Sequence, residues 1–340
     1  MKSLIQLCLM MVLGPLLFMA LSKAAALGSA DVKKIIDEIA RKAAASSGLL
    51  PIQGKDGWLF FSPDLRCLCT GRFWNESTGA LPAILDFKAQ LDRAGIELLY
   101  VPVPAKASIY PARVCDAISQ TAGSIRIDIV QQEFHALLKD RGLTVIDLTP
   151  AFLENRNAIA GPLYCRQDSH WSGVGCEIAA RTVADAIRLK PWLKGVPRKN
   201  YSTEEREIEI TGDLWRSMPD PKPTKEKLKL RFIGERAGSG MVPVADWRES
   251  PVLLLGDSHN LVFHVGADML ATGAGFADQL AYELGFPVDV VAVRGSGATP
   301  SRLNLMRRGD SLAGKKLIIW CLSVREYIDE SEWRKIPVVR

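Results

Sequence analysis

Past Ala30 the chain has no apolar run long enough to cross a bilayer, which excludes a membrane protein of several spans. Histidine is scarce, with 4 in 340 residues, so chemistry that needs an imidazole has few candidates. No Lys/Arg cluster is interleaved with aromatics and the formal charge is a modest +5, so a nucleic-acid partner is not expected. There is no nucleotide-binding loop. Nothing repeats at a fixed period and no segment is low in complexity, which argues against a repeat array or a disordered chain. A zinc site needs closely spaced Cys/His pairs, and Cys67-Leu68-Cys69 has no matching second pair. Neither metal nor cofactor is expected.

What remains is an ordinary soluble composition, 48% hydrophobic and 24% charged, in a chain long enough for one large α/β domain or two smaller ones. Its N-terminus is different. Met1-Lys2 is followed by an apolar run from Leu4 to Leu21, then Lys23 and small residues as far as Ala30. That order makes residues 1–30 a secretory signal. At about 18 residues the run is also near the length of a span, so an uncleaved anchor stands beside cleavage after Ala26 or Ala30. Either way the mature part, 31–340, is expected on the far side of a membrane. Cys8 belongs to the leader. Cys67, Cys69, Cys115, Cys165, Cys176 and Cys321 remain, and they read as disulfides or as buried free thiols, with no pairing chosen.

Along the mature chain, residues 31–47 predict a helix and Gly54-Lys55-Asp56-Gly57 a turn before the short strand Trp58-Leu59-Phe60-Phe61. Strands at 96–101 and 144–148 alternate with a helix near 124–140, and a further helix spans 174–189. Residues 190–248, rich in proline and charge, break the rhythm and read as an irregular insertion. Strands return at 252–255, 288–293 and 316–320, with helices between them. Short, fully apolar strands separated by helices indicate an α/β fold with a mostly parallel sheet covered on both faces, in a single domain.

Two segments can carry chemistry. Leu253-Leu254-Leu255-Gly256-Asp257-Ser258 puts a serine at the carboxyl end of a buried strand, where a helix N-terminus offers N–H groups to an oxyanion. The plain alternative is that Ser258 only caps the helix. Asp168-Ser169-His170-Trp171 places a carboxylate two residues from an imidazole, the pairing that a serine nucleophile needs in its base; the plain alternative is a turn at Asp168 with His170 packed beside Trp171. Among the other histidines, His135 reads as a helix-surface residue, His259 as projecting away from Ser258 and His264 as a packed residue.

Together these segments resemble the SGNH-hydrolase-like domain of the alginate O-acetyltransferases, periplasmic proteins that acetylate exopolysaccharides. Gly54-Lys55-Asp56-Gly57-Trp58-Leu59-Phe60, Val101-Pro102-Val103-Pro104-Ala105-Lys106, Tyr110-Pro111, Asp147-Leu148, Asp168-Ser169-His170-Trp171-Ser172, Gly212-Asp213-Leu214, Gly256-Asp257-Ser258, Arg294-Gly295-Ser296-Gly297-Ala298 and Arg325-Glu326 follow in that family's order. The resemblance implies an SGNH-like three-layer fold, with Ser258 as nucleophile, His170 as base and Asp168 as orienting carboxylate, the last two preceding the serine. His259 departs from the aromatic or small apolar residue more usual there. Gly295 and Gly297 are candidates for the second oxyanion donor or for a plain turn. Arg325 is a candidate for meeting an acyl or sugar oxygen or for simple ion pairing, and Trp171 for a sugar platform. Trp58 reads as a core residue and Lys106 as a solvated charge. The resemblance further implies a polysaccharide acceptor and a membrane-bound O-acyltransferase that hands the acetyl group outward, with other export proteins as further partners. With the chain ending at Arg340, a C-terminal sugar-binding module is not expected, so a long polymer would need a partner's help. A carbohydrate esterase with the same triad and a non-catalytic export subunit are the alternatives.

Overall fold

The computed structural model describes residues 29–46, 50–116, 118, 125–238, 240–310 and 312–339. The leader before Ser29 lies outside them. In chain order the strands are β1 (Ile52–Gln53), β2 (Leu59–Phe60), β3 (Glu97–Val103), β4 (Thr144–Val145), β5 (Ser202–Glu209), β6 (Lys227–Ala237), β7 (Gly240–Pro243), β8 (Val252–Gly256), β9 (Asp289–Ala292) and β10 (Leu317–Ser323). Five of them form the central sheet in the order β4-β3-β10-β8-β9, and every pairing in it is parallel. Its middle strands are apolar without alternation, and all of β8 and β10 is buried. That pattern belongs to a sheet covered on both faces.

β10 is last in sequence yet lies between β3 and β8, with Cys321 beside both Val101 and Gly256. The chain therefore reverses direction across the sheet there, and the crevice at such a point is where open α/β sheets bind ligands. Gly256 marks the place in the sequence. A Cβ on it would run into the Cys321 carbonyl and the Asn260 side chain, so β8 can end against β10 only with glycine. The helices Gly173–Ile187 and Phe276–Leu284 pack on each other and turn Ala179, Ala180, Val183, Leu280 and Leu284 inward.

Three expectations need correction. Residues 190–248 are not irregular: β5, β6 and β7 build an antiparallel sheet, with Glu205 opposite Arg231 and Glu207 opposite Lys229. Most of β5 is exposed, so charges on both of its faces hid the strand period. β4 stops at Val145 because Asp147 turns away to an ion pair with Arg126, at 2.7 Å, and to the Thr149 amide, at 3.0 Å. His135 is buried rather than on a helix surface, with Nε2 3.1 Å from the Tyr327 hydroxyl. Trp58 is a core residue, as its apolar neighbours implied, with its ring 4.5 Å from that of Tyr110. Of the two readings of the cysteines, the thiol one holds: Cys67, Cys69, Cys115, Cys165, Cys176 and Cys321 are all free. Burial pushes the Cys67 thiol up to about 12, so it stays protonated and unreactive. No helix among the described residues is long and apolar enough to cross a membrane.

The core around β8 should behave as close-packed. Leu254→Ala, at a side chain with no exposed surface, is expected to lower the unfolding free energy by about 2–5 kcal/mol with an unchanged denaturant slope. Urea unfolding followed by circular dichroism checks this.

Candidate active site

Loops from the carboxyl ends of several strands meet in a cleft of about 640 Å³. Ser258 opens a single 3-10 turn just past β8, and Asp257, not Ser258, caps that turn by accepting the His259 amide. The capping explanation for Ser258 therefore fails, and its hydroxyl is left for other work. Asp257 also accepts the Ser323 amide at 2.8 Å, which ties the serine turn to the end of β10.

The second segment is a tight loop. Tyr164 and Trp171 form an isolated bridge across it, and the Cys165 amide donates to the His170 carbonyl at 3.2 Å. At its tip Asp168 and His170 face Ser258. His170 Nε2 lies 2.7 Å from Ser258 Oγ, and His170 Nδ1 lies 2.6 Å from Asp168 Oδ1. Asp168 Oδ1 also accepts the His170 amide, and Oδ2 accepts the Asp213 amide at 2.8 Å. Ser258 is 5% exposed, at the floor of the cleft.

The electrostatics suit a base paired with a fixed carboxylate. Burial disfavours ionised Asp168, but the charge and hydrogen bond of His170 and the two backbone amides outweigh it, holding the carboxyl well below the usual range. Burial likewise disfavours the imidazolium, yet Asp168 wins and raises His170 above its ordinary value of 6.5. His259 stacks edge-on against His170, with ring centroids 4.8 Å apart, and its Nδ1 lies 3.2 Å from Asp257 Oδ1. It does not project away from the site as expected. Burial lowers its proton affinity and keeps a second positive charge away from His170.

The remaining candidates divide. Gly295 lines the cleft with φ +88, and neither its amide nor that of Ser258 has a protein acceptor among the described residues. Both are available to an oxyanion. Gly297 is not, because its amide donates to Glu326 Oε1 at 2.8 Å. Its glycine has another use, since a Cβ there would strike the backbone of Gly256 and Asp257. Arg325 lines the cleft while paired to Asp64 at 3.2 Å. Trp171 cannot be a sugar platform: it is 0% exposed, packs on Phe276, and donates from Nε1 to the His259 carbonyl at 3.0 Å. Its role is to hold the base loop against the serine turn.

Two further residues, Asp213 and Glu326, carry tasks that nothing beside them in the sequence signals. Asp213, from the segment read as an insertion, accepts the Ser169 amide at 2.7 Å and the Ser169 hydroxyl at 2.5 Å. Burial and the neighbouring Asp168 charge raise its proton affinity. Glu326 accepts from Ser296 Oγ and from the Gly297 and Ala298 amides, fixing the glycine loop. Asp168, His170 and Asp213 also place one potential metal-ligand atom each within 4.8 Å of one another. Both His170 nitrogens and all four carboxylate oxygens are already engaged in the bonds above, so a cation there would have to break the relay.

A strand-end serine, a buried His–Asp pair and free amides facing one cleft give the geometry that serine-based acyl transfer requires, on an SGNH-like α/β fold. The model of the SGNH hydrolase-like domain of acetyltransferase AlgX matches residues 52–324, and the chain belongs to that family. Probable alginate O-acetylase AlgJ of Pseudomonas syringae pv. tomato is 29% identical over 62% of this chain and 54% of its own length. Alginate biosynthesis protein AlgX of Pseudomonas putida is 25% identical over 84% of this chain and 58% of its own. The chain thus spans a little over half the length of these curated relatives. Among solved structures, the O-acetyltransferase domain of Pseudomonas putida AlgJ superposes with a TM-score of 0.62 at 21% identity, over 84% of this chain and 95% of that domain. Pseudomonas aeruginosa AlgX gives 0.62 at 19% identity, over 84% and 65%. These two show the shared fold.

Two outcomes are expected with a chromogenic acetyl ester. Ser258→Ala, His170→Ala and Asp168→Asn should each lower kcat by about 10³–10⁴-fold while remaining folded. Because the base must be neutral to accept a proton, kcat/KM should rise with pH through a limb above 6.5. Asp168→Asn removes what raises His170, so the residual activity of that variant should show its limb at lower pH. Steady-state kinetics across the pH range measures both.

Proposed function

We propose that this chain is an exported O-acetyltransferase that moves an acetyl group through an acetyl-serine onto hydroxyls of an acidic exopolysaccharide. The observation that carries the proposal is the continuous Ser258–His170–Asp168 hydrogen-bond relay at the floor of an arginine-lined cleft. Family membership and relatives named for alginate O-acetylation and alginate biosynthesis support it.

In the first half-reaction the Ser258 hydroxyl proton passes to His170 Nε2 as Oγ bonds to the acetyl carbonyl carbon. The tetrahedral oxyanion is held by the Ser258 and Gly295 amides. As it collapses, the bond to the donor's carrier breaks and His170 returns the proton to that leaving group. In the second half a sugar hydroxyl gives its proton to His170 Nε2 and attacks the acetyl-serine. The Oγ–acyl bond then breaks and Ser258 regains its proton. Asp168 stays ionised throughout and balances the imidazolium.

Arg66, Arg216, Arg294 and Arg325 all line the cleft. Arg294 is committed to Asp268 and Arg325 to Asp64, while the Arg66 side chain has no acceptor among the described residues. Guanidinium groups at the rim suit a carboxylate-bearing sugar. The acetyl group is proposed to arrive from a membrane-bound O-acyltransferase, consistent with a chain that has no nucleotide-binding loop, and other exopolysaccharide export proteins are further proposed partners. Export to the periplasm is proposed from the leader at 1–30, whether it is cleaved or serves as an anchor.

The test offers the purified protein an acetyl ester with oligouronate or neutral oligosaccharide acceptors, with products read by mass spectrometry. Acetylated oligouronate from the wild type, absent with Ser258→Ala, is the expected result. Free acetate alone, whatever acceptor is present, would mean an esterase. Folded protein inert toward every donor and acceptor would point to the non-catalytic subunit.

A further inference from the structure

Lys106 follows β3 by three residues, yet it is 1% exposed, a correction to the solvated charge expected from sequence. Its ammonium group lies 5.4 Å from the ring centroid of Trp58 and 5.3 Å from that of Phe60. An ammonium has three protons to donate, and here each has a backbone carbonyl: Leu59 at 2.6 Å, Arg166 at 3.1 Å and Asp168 at 3.1 Å. Two of these carbonyls belong to the loop that ends in His170, and the third belongs to β2.

No carboxylate oxygen lies within ion-pair range of Lys106 among the described residues. Its charge is faced at longer range by Glu226, the Cys165 thiol, Asp168 and Asp213. Burying an ammonium without a contact partner is costly, and an apolar side chain would fill the space between Trp58 and Phe60 at less expense. What an apolar side chain cannot do is hold two carbonyls on either side of Gln167. The Arg166 carbonyl also accepts the Leu59 amide at 2.8 Å, and on the β5–β6 side the Trp215 amide donates to the Gln167 carbonyl at 3.0 Å while Glu226 Oε2 accepts the Gln167 amide at 3.0 Å; the Asp168 carbonyl is held by Lys106.

Resting on the acyl-transfer reading above, we infer that Lys106 is a positioning residue for the catalytic loop. It pins the Arg166–Asp168 backbone so that Asp168 and His170 meet Ser258. It touches neither substrate nor reacting atoms. His170 itself is faced by Asp168, Asp213, Arg325 and the ring of His259, and Lys106 acts on that set through Asp168.

The experiment compares Lys106→Met and Lys106→Gln with wild type in the full chain, following acetyl-ester turnover across pH and thermal unfolding. Methionine fills the space without donors or charge. Kcat should fall by about 10²-fold, the size expected from a misplaced catalytic pair, with KM near the wild-type value. Its acid limb should move to lower pH, because an Asp168 no longer held against His170 raises that imidazole less. Glutamine restores N–H donors without charge, so it should recover much of kcat and return the limb toward its wild-type position. A purely structural role would lower the melting temperature and leave the limb in place. Wild-type kcat and limb in Lys106→Met, a change in KM alone, or loss of the fold in both variants would each overturn the inference. If the wild type shows no Ser258-dependent turnover, it is the acyl-transfer reading that fails instead.

Discussion

A carboxylate in a protein interior must either take up a proton or be surrounded by donors, and Asp168 is surrounded. One oxygen receives the His170 ring and the His170 amide, and the other receives the Asp213 amide. Ionised Asp168 fixes the His170 tautomer, and that tautomer leaves Nε2 facing the Ser258 hydroxyl. Most features of the surrounding structure either supply one of those donors or hold a donor in place.

The fold brings these parts together because the ends of parallel strands converge. β8 delivers Ser258, the turn after β9 delivers Gly295, the end of β10 delivers Glu326 and Arg325, and the end of β3 delivers Lys106. Asp168 and His170 come from outside the sheet, on a loop that a cross-loop bridge and buried Trp171 hold against the serine turn. The antiparallel sheet β5–β6–β7 is joined to the same arrangement through Asp213 and Glu226. It buttresses the site, although its sequence reads as a surface excursion.

What could be read from sequence was what depends on local pattern. The apolar strands 252–255 and 316–320 announce a buried parallel sheet, and Gly256-Asp257-Ser258 with Asp168-x-His170 announces the pieces of a relay. Packing was not legible in the same way. Lys106 looks solvated because lysine usually is, and only the fold shows three carbonyls converging on it. Trp171 looks like a platform until the turn of Ser258 is seen to close over it. The tasks of Asp213 and Glu326 are set by partners 44 and 29 residues away in sequence, so no local signal marks them. Charged residues along β5 masked its strand period, because cross-strand ion pairs such as Lys229 with Glu205 replaced the usual alternation.

The arrangement turns on one proposal, that His170 and Asp168 make Ser258 an activated nucleophile. Its most direct test is labelling with a serine-directed sulfonyl fluoride, with the modified peptide located by mass spectrometry. One adduct is expected, on Ser258, forming faster as pH rises through the His170 limb and lost in His170→Ala. Adducts scattered over other serines, or labelling of Ser258 at the same rate without His170, would contradict it.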